Sequence, residues 1–408
     1  MTNTEWKPHR LDQLGFVGRG KSRHRPRNEA SLYGGKYPFF QTGDIKAANL
    51  HLTEYSQTYS EKGLAQSKLW QPGTLCITIA ANIAETAILG ISGCFPDSIV
   101  GFVAEPMKAD VRFIKYFIDT LKLQMQSVSR GTTQDNLSVD KLLTFDFRVP
   151  PIQIQQRIAS ILAAYDELME NSQRRIRILE VMARAIYREW FVQFRFPGHE
   201  KVRRVTSSLG DIPQDWEVKC VPECVEINPR VVVVRDGEKP FAPMSSLANG
   251  SMLVTDIETR VGNSGAKFQN GDTLFARITP CLENGKTGFV QFLPDSQAVA
   301  CGSTEFIVLR SRTLTPEFVY LLARSDEFRG NAIKSMSGAS GRQRVQERCF
   351  DRFQIAQPPR DLLDRFSAIV APSFRLIQEL HLQTQTLRRT RDLLLPRLLS
   401  GQLKAGTN

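Results

Sequence analysis

The sequence predicts an α+β protein in which one module, a globular domain followed by a long helix, occurs twice along the chain. Two observations support this prediction: phrases recur at a nearly constant offset, and each copy ends in a long heptad pattern. The pair Pro150-Pro151 recurs as Pro358-Pro359, an offset of 208 residues, and Trp6 corresponds to Trp216 at an offset of 210. This period is far longer than a solenoid repeat, so it indicates a duplicated domain.

A heptad pattern of apolar side chains follows each proline pair and predicts an amphipathic helix. Proline suits the first turn of a helix because the backbone nitrogen there has no helical partner to lose. The first copy carries the pattern on Ile158, Ile161, Leu162, Tyr165, Leu168, Met169, Ser172, Ile176, Leu179, Met182, Ile186, Tyr187 and Trp190. The second copy carries it on Phe366, Ile369, Val370, Ser373, Leu376, Ile377, Leu380, Leu387, Leu394, Leu395 and Leu398.

These helices need a partner for their apolar faces. A helix of about 44 residues is about 65 Å long, which exceeds what one small domain can cover. The other copy in the same chain can supply the partner, so we expect two long antiparallel helices that form an intramolecular coiled coil with pseudo-twofold symmetry. The alternative is that each helix packs independently into the core of its own domain.

The segments before the two helices combine short β-like runs with Gly, Pro, Asn and Asp turns, which predicts strands. Each segment also contains one late helical run, at residues 111–126 and 316–329. The predicted division is therefore a first globular domain at 1–149, a helix at 150–198, a second globular domain at 199–357 and a second helix at 358–408. Both globular domains are expected to be of mixed α/β type.

The composition favours a polyanionic partner. The chain has 408 residues, with 53 Lys or Arg against 42 Asp or Glu and a formal net charge of +11. A balance this basic over at least two domains points first to nucleic acid. A hydrophobic fraction of 41% with 23% charged residues is typical of folded proteins, so disordered and fibrous classes are excluded.

The cellular location is expected to be cytoplasmic, without membrane association. The first ten residues are polar, and no apolar stretch approaches the length of a membrane span. The seven cysteines are odd in number and scattered, which favours reduced thiols over a disulfide framework or a structural zinc site.

Five phrases carry a resemblance to a known family. They are GRGKS at residues 18–22, YPFFQTGDI at 37–45, GTTQDNLS at 131–138, IPQDWE at 212–217 and DLLLPRLLSG at 392–401. With these phrases the chain resembles, over essentially its whole length, the DNA-specificity (S) subunit of Type I restriction-modification systems. The phrase at 392–401 is the most specific of the five.

This resemblance implies that two target recognition domains each recognise one half of a bipartite sequence in double-stranded DNA. It implies that the helices set the spacer between the half-sites and dock two methyltransferase (M) subunits, and that nuclease-translocase (R) subunits can join. The chain itself would be non-catalytic and would hold no cofactor. The methyltransferase partner would use S-adenosylmethionine, and the nuclease partner would use ATP and Mg. One departure is Ile154, which stands where the family commonly has Glu at the helix start.

Two groups of polar residues are the candidate DNA contacts. A cluster of cations without an intervening acid can neutralise phosphates, and polar loop residues can pair with base edges. For both groups the alternative is an ordinary solvated surface loop. The cations are Arg19, Lys21, Arg23, Arg25 and Arg27, and the loop residues are Thr132, Thr133, Gln134 and Asn136, with Arg342, Gln343 and Arg344 at the matching place in the second half.

Catalytic motifs are matched only in part. Residues 15–22 fit the P-loop pattern, but a polar segment precedes them and no helix-forming segment follows. Phe16, Gly18 and Gly20 resemble an S-adenosylmethionine loop, yet the Asn/Asp-Pro-Pro-aromatic motif of amino-methyltransferases is missing. Glu217 and Lys219 follow Asp211 and Asp215 as in some nucleases, a short pattern that recurs by chance. The competing functions are therefore a stand-alone DNA-binding protein and an autonomous nuclease or ATPase.

Overall fold

The computed structural model describes residues 6–129, 136–233, 236–339 and 341–403 and divides into two compact units. The first unit comprises residues 1–171 and 384–408, and the second comprises residues 172–383. Both long helices are thus divided between the units near their middle. The division into 1–149, 150–198, 199–357 and 358–408, which treats each helix as a separate segment, stays a prediction.

The elements of the first unit are short except for two helices. Its strands are β1 (Lys7–His9), β2 (Gly15–Arg19), β3 (Tyr33–Phe39), β4 (His51–Leu52), β5 (Gln57–Tyr59), β6 (Leu75–Thr78), β7 (Thr86–Leu89), β8 (Ile99–Ala104) and β9 (Phe147–Val149). The helices are α1 (Leu11–Leu14), α2 (Thr42–Ala47), α3 (Glu61–Ala65), α4 (Val111–Ser129), α5 (Val139–Leu142) and α6 (Ile152–Tyr187), whose second half belongs to the second unit.

A mixed sheet in the order β2-β8-β6-β7-β4 forms the centre of the first unit. Its inner strands read as continuous apolar runs because both faces are buried. One face of β6, with Leu75 and Ile77, packs with α4 and the first part of α6, while Cys76 faces a second cluster around Phe40 and Trp70.

The second unit contains strands β10 (Arg204–Ser207), β11 (Gly210–Pro213), β12 (Glu217–Cys220), β13 (Val225–Ile227), β14 (Glu238–Ala242), β15 (Glu258–Val261), β16 (Ala266–Phe268), β17 (Thr273–Ala276), β18 (Thr287–Phe289), β19 (Ala300–Gly302), β20 (Phe306–Ser311) and β21 (Gln354–Gln357). Its helices are α7 (Val221–Cys224), α8 (Pro316–Arg324), α9 (Asp326–Lys334) and α10 (Arg360–Leu399), and a π-helical turn at Arg188–Val192 extends α6. The last part of α10 belongs to the first unit.

The second unit repeats the strand pairing of the first. The order β13-β20-β17-β18 matches β2-β8-β6-β7, with antiparallel pairs in both. In addition, β1 pairs with β9 just before α6, and β12 pairs with β21 just before α10. A further sheet, β15-β14-β19-β16, completes the second unit. The predicted α+β class with a duplicated module is confirmed.

The long helices pack antiparallel within each unit. In the first unit, Ile158 and Leu162 from the start of α6 share a core with Leu398 and Leu399 from the end of α10. In the second unit, Phe191 just beyond α6 contacts Phe366 near the start of α10, with ring centroids 4.8 Å apart. Within the described residues, no helix is long and apolar enough to cross a membrane.

The first turns of the two long helices are fixed differently. The Gln155 side chain is buried, donates to the carbonyl oxygens of Lys108 (3.0 Å) and Pro150 (2.8 Å), and accepts from the Asp110 amide (3.1 Å). The equivalent position 208 residues later is Leu363, which is buried in an apolar core. The amide therefore anchors the first copy with hydrogen bonds where the second uses apolar packing.

Three apolar residues assigned to the heptad pattern lie in solvent instead. Leu168, Met182 and Ile369 are exposed by 51%, 52% and 48%. A straight α-helix drifts by about 20° per heptad relative to a strict seven-residue repeat, so one seam cannot keep every apolar position inside. Polar residues occupy part of the inward face, since Asp166 and Glu180 are buried.

The late helical run of the second unit is also interrupted. The prediction for 111–126 is confirmed by α4, but the run at 316–329 forms two helices that meet at Ser325. The Ser325 hydroxyl accepts a hydrogen bond from the Phe328 amide at 3.2 Å. Serine is a preferred N-cap, and this cap starts a second helix where the apolar pattern alone predicts one continuous helix.

Candidate nucleic-acid interface

The predicted basic segment follows the edge strand β2 on the surface of the first unit. The Lys21 amide donates to the carbonyl oxygen of Phe95 at 3.1 Å, and the Ser67 hydroxyl donates to the carbonyl oxygen of Lys21 at 2.8 Å. The His24 amide donates to the Gln66 side chain at 3.0 Å. These bonds hold the segment against two neighbouring loops, and the five candidate cations within it are all exposed.

Two of these cations contact the same residue, Asp97: Arg27 through the carboxylate and Arg19 through the backbone carbonyl oxygen. Both carboxylate oxygens of Asp97 accept from Nη2 of Arg27, at 3.0 and 2.8 Å, and the Asp97 carbonyl oxygen accepts from Nε of Arg19 at 2.5 Å. Arg27 therefore carries a neutralised guanidinium. This ion pair holds the end of the basic segment against the loop that follows Phe95.

The remaining cations differ in how far they are engaged. Nη1 of Arg25 donates to the backbone carbonyl oxygens of Ser22 and His24, each at 2.8 Å, which shapes the segment. Neither Lys21 nor Arg23 makes a salt bridge within the part of the chain that the structure describes. These two cations are the best placed to neutralise phosphates.

An acidic residue bounds the segment on its far side. The Glu29 carboxylate pairs with Lys62 at 2.5 Å and also with the His24 ring. Hydrogen bonds from Lys62, Ser31 and His24 lower the pKa of Glu29 to about 2. Glu29 therefore stays ionised at neutral pH and places a negative charge beside His24 and Lys62.

The glycines that suggested a phosphate or cofactor loop are required by packing. A Cβ on Gly18 would lie 2.9 Å from Cη2 of Trp70, and one on Gly20 would lie 2.2 Å from the carbonyl oxygen of Pro96. The facing residue Gly101 has the same constraint, since its Cβ would lie 2.7 Å from Cζ3 of Trp70. Residues 15–19 form a strand, whereas a P-loop opens a helix, so packing against Phe16, Trp70 and the backbone of Phe95 and Pro96 accounts for these glycines.

Two carboxylates of the nuclease-like pattern are engaged in local contacts. Glu217 in β12 pairs with Lys219 at 2.6 Å, and Asp211 in β11 accepts from the Thr206 hydroxyl across the β10–β11 hairpin at 3.0 Å. Both contacts join neighbours on short strands.

The structure places Asn136 and Arg344 at equivalent positions in the two units. Asn136 bridges to Ala80, directly beyond β6, and Arg344 bridges to Ile278, directly beyond β17. The following amides repeat the geometry: Leu137 donates to Ile79 at 2.9 Å, and Val345 donates to Arg277 at 2.8 Å. The predicted loops therefore meet the end of the same central strand in each unit.

The other three loop candidates of the first unit, Thr132, Thr133 and Gln134, lie outside the described residues. The loops after β6 and β17 join the candidate surface and were missed from sequence. Their backbones are unusual, since Ala81 has φ 60° and the Thr279-Pro280 peptide is cis. The available signal was the match of residues 71–73 (QPG) to residues 269–271 (QNG), because this offset of 198 residues also relates β6 to β17.

The arginines of the second unit's loop have distinct environments. Arg344 forms a bidentate pair with Glu305 at 2.7 to 3.0 Å, and this hydrogen bonding raises the pKa of Arg344 above its usual value. The carbonyl oxygen of Gln343 accepts from the Thr279 amide at 3.1 Å. Arg342 is exposed and makes no side-chain hydrogen bond or salt bridge among the described residues. Arg344 thus holds the loop, and Arg342 is available for a ligand.

Comparison with known proteins gives a consistent result. The model of the "Type I restriction modification DNA specificity domain" family matches residues 3–180. The Type I restriction enzyme MjaIX specificity subunit of Methanocaldococcus jannaschii is 23% identical, over 98% of this chain and 94% of its own length. The EcoEI specificity subunit of Escherichia coli is 28% identical, over 43% of this chain and 30% of its own length.

A solved structure shares the fold. The crystal structure of the S subunit of the Type I restriction-modification system from M. genitalium superposes with a TM-score of 0.60 at 15% identity. The alignment covers 98% of this chain and 97% of that one. The fold is therefore shared over nearly the whole length of both chains.

Proposed function

We infer that the chain belongs to the family of Type I restriction-modification specificity subunits, and from this premise we propose that each unit recognises one half of a bipartite DNA target. The observation that carries the proposal is the repeated junction beyond β6 and β17, where Asn136 and Arg344 occupy equivalent positions. The same backbone arrangement presents different side chains in the two units. Two unlike half-sites require this combination of a shared scaffold and divergent contacts.

The basic segment supplies the sequence-independent part of the binding. Lys21 and Arg23 neutralise phosphates and position the first unit on the duplex, while loop side chains discriminate between bases. The net charge of +11 favours this association at low salt. The chain acts as a non-catalytic recognition subunit in the cytoplasm.

We further propose that the long helices set the spacer between the half-sites. The 36 residues of α6 correspond to about 54 Å at 1.5 Å per residue. This length is under two turns of duplex, since one turn is about 34 Å. A helix of this length fits two half-sites that lie about one turn apart along the duplex. Residues of α6 belong to both units, so the helix can set the distance between the half-sites.

The exposed apolar side chains of α6 support docking of partner subunits. Within the second unit, Ile178, Val181, Met182 and Ala185 are exposed at intervals of three and four residues. This spacing places them on one helix face, which suits a helix of another protein. We propose that two methyltransferase subunits bind the helices, and that nuclease-translocase subunits can join. Those partners would bring S-adenosylmethionine, ATP and Mg.

Replacing Met182 with Asp is expected to reduce co-purification of the methyltransferase subunit at least tenfold, because a charge would enter an apolar interface. Met182→Leu, which keeps an apolar side chain at the same position, is the matched control and should retain the partner. Co-purification after co-expression is the measurement. A protein that binds DNA alone, the competing function, would show no methyltransferase in either preparation.

Selection of bound sequences from a pool of random duplexes tests the recognition proposal itself. The complex is expected to enrich two short defined sequences separated by a gap of fixed length. Enrichment of one continuous sequence, or of none, would contradict recognition by two units. The enriched duplex then serves as the target for the variants below.

Arg342→Ala is expected to weaken discrimination by about 1–3 kcal/mol at one base position in one half-site, because its free guanidinium can pair with a guanine. The other half-site should be unaffected. Competition binding with duplexes substituted at each position measures this effect, and Arg365→Ala, exposed on α10, is the control. Equal weakening for all sequences, with a shallower salt dependence, would instead identify a phosphate contact.

A further inference from the structure

A lysine that belongs to none of the predicted groups lies beside the basic segment. The Lys68 ammonium is 3.6 Å from the ring centroid of Trp70 and 4.7 Å from that of Phe16. The ring faces attract a cation, with an interaction of about 0.5–1 kcal/mol at an exposed site. They do not remove its positive charge, so Lys68 is held in place but not neutralised.

Lys21 lies next to this lysine, because the hydroxyl of Ser67, the residue before Lys68, donates to the carbonyl oxygen of Lys21 at 2.8 Å. Partial burial lowers the pKa of Lys68 below its usual value, and the charge of Lys21 lowers it further. Neither lysine forms a salt bridge within the described residues, although Lys62 and Arg27 nearby each have a carboxylate partner. Two positive charges held together without an acid are stabilised when an anion binds between them.

The surface beside the lysines is apolar and open. The Phe16 ring is 56% exposed on the edge strand β2, and its cross-strand neighbour Val103 is also exposed. An exposed aromatic ring next to an anion site suits a ligand that joins a charged group to a flat or apolar one. The phosphate and sugar of a nucleotide provide this combination.

We propose that Lys68 and Lys21 together bind one phosphate of the DNA half-site recognised by the first unit, with the Phe16 ring against the adjoining sugar. Three features support DNA as the ligand. Arg23, a further cation without a salt bridge among the described residues, is two residues from Lys21 in the sequence, and neither lysine is paired with a carboxylate as Arg27 and Lys62 are. The Trp70 ring also holds the Lys68 ammonium in place before a ligand binds. Lys68 would position the duplex without selecting bases. The assignment rests on the proposed function, because it takes DNA as the ligand.

Acetylation of the wild-type complex tests the site directly. With limiting amine-reactive reagent and mass spectrometry, a bound duplex should reduce acetylation of Lys68 and Lys21 severalfold. Lys108, which is paired with Glu105 at 2.7 Å, should react equally with and without DNA. Unchanged acetylation of Lys68 would overturn the proposal. Equal protection by millimolar inorganic phosphate alone would also overturn it, since the site would then bind a free anion.

Substitutions test whether the two lysines share one phosphate. The slope of log affinity against log salt changes by about 0.9 for each phosphate that the protein no longer neutralises. The double variant Lys21→Met/Lys68→Met should lower the slope by about 0.9 in total, and Lys108→Met should leave it unchanged. A decrease of about 1.8, or no decrease, would overturn the shared site.

The same titration on a scrambled duplex separates this site from the proposed function. Removing a phosphate-binding cation lowers the slope on both duplexes, because the interaction does not depend on sequence. If the wild-type complex showed no preference for the selected duplex over the scrambled one, the proposed function would fail. The slope change on scrambled DNA would still decide the phosphate site.

Discussion

Replacing Arg391 with Met is expected to destabilise the first unit by about 3–5 kcal/mol, because it leaves a buried carboxylate without its cation. Asp166 on α6 is fully buried; Arg391 on α10 pairs with one of its oxygens, and the Tyr116 hydroxyl on α4 donates to the other at 2.5 Å. Three separate elements of the unit therefore meet at one carboxylate. Differential scanning calorimetry of the variant measures the loss.

The protonation states in this cluster follow from burial and charge. Burial and the Asp166 carboxylate raise the pKa of Tyr116 above its ordinary value, so the hydroxyl keeps its proton and donates. Burial alone would lower the pKa of Arg391, but the carboxylates of Asp166 and Asp392 raise it above the usual value. The guanidinium is therefore charged throughout the physiological range.

Two control variants isolate the unpaired charge. Arg389→Met removes an exposed cation from the same helix and should change the stability by less than about 0.5 kcal/mol. The double variant Asp166→Asn/Arg391→Met removes both charges and keeps an acceptor for Tyr116, so it should be more stable than Arg391→Met alone. If Arg391→Met and Arg389→Met unfold at the same temperature, the cluster does not stabilise the unit.

Inserting one heptad into both α6 and α10 is expected to abolish recognition of the original target. Seven residues add about 10 Å to each helix, which equals about three base pairs of duplex at 3.4 Å each. Specific sites are typically bound 10³–10⁷ times more tightly than other DNA, and much of this preference should be lost when one half-site falls out of register. Equilibrium binding to the original duplex measures the decrease.

The same insertion variant should recover tight binding on a duplex whose spacer is about three base pairs longer. Replacing one heptad of each helix by another apolar heptad, without an insertion, is the matched control and should keep the original spacer. Circular dichroism confirms that both variants retain their helices. Tight binding of the insertion variant to the original spacer would exclude a role of the helices in setting the distance.

The features predicted from sequence were those with a long repeated signal. The offset of 208 residues and the two heptad patterns sufficed for the duplicated α+β fold and the antiparallel helices. Single positions were less predictable, because helical periodicity does not reveal that Asp166 faces inward and Leu168 outward. The Ser325 cap was likewise hidden within an apolar pattern.

The candidate site shows the same limit. Its basic residues form a local cluster that the sequence displays directly. Carboxylates from distant segments, however, pair with some of the candidate cations. Asp97 pairs with Arg27 from 70 residues away, and Glu305 pairs with Arg344 from 39 residues away. Lys68 is a single lysine without a neighbouring motif, and only the fold brings it beside Lys21, through the hydrogen bond from the Ser67 hydroxyl to the Lys21 carbonyl oxygen. Tertiary contacts therefore decide which cations remain available.

Modified-base sequencing of host DNA with and without the gene for this chain is the most direct test of DNA recognition by two units. We expect that one bipartite, adenine-methylated sequence disappears when the gene is deleted and returns when it is restored. The Arg342→Ala variant should restore methylation with relaxed specificity in one half-site. Methylation that is unchanged by the deletion, in a host that expresses the partner methyltransferase, would contradict the assignment as its specificity subunit.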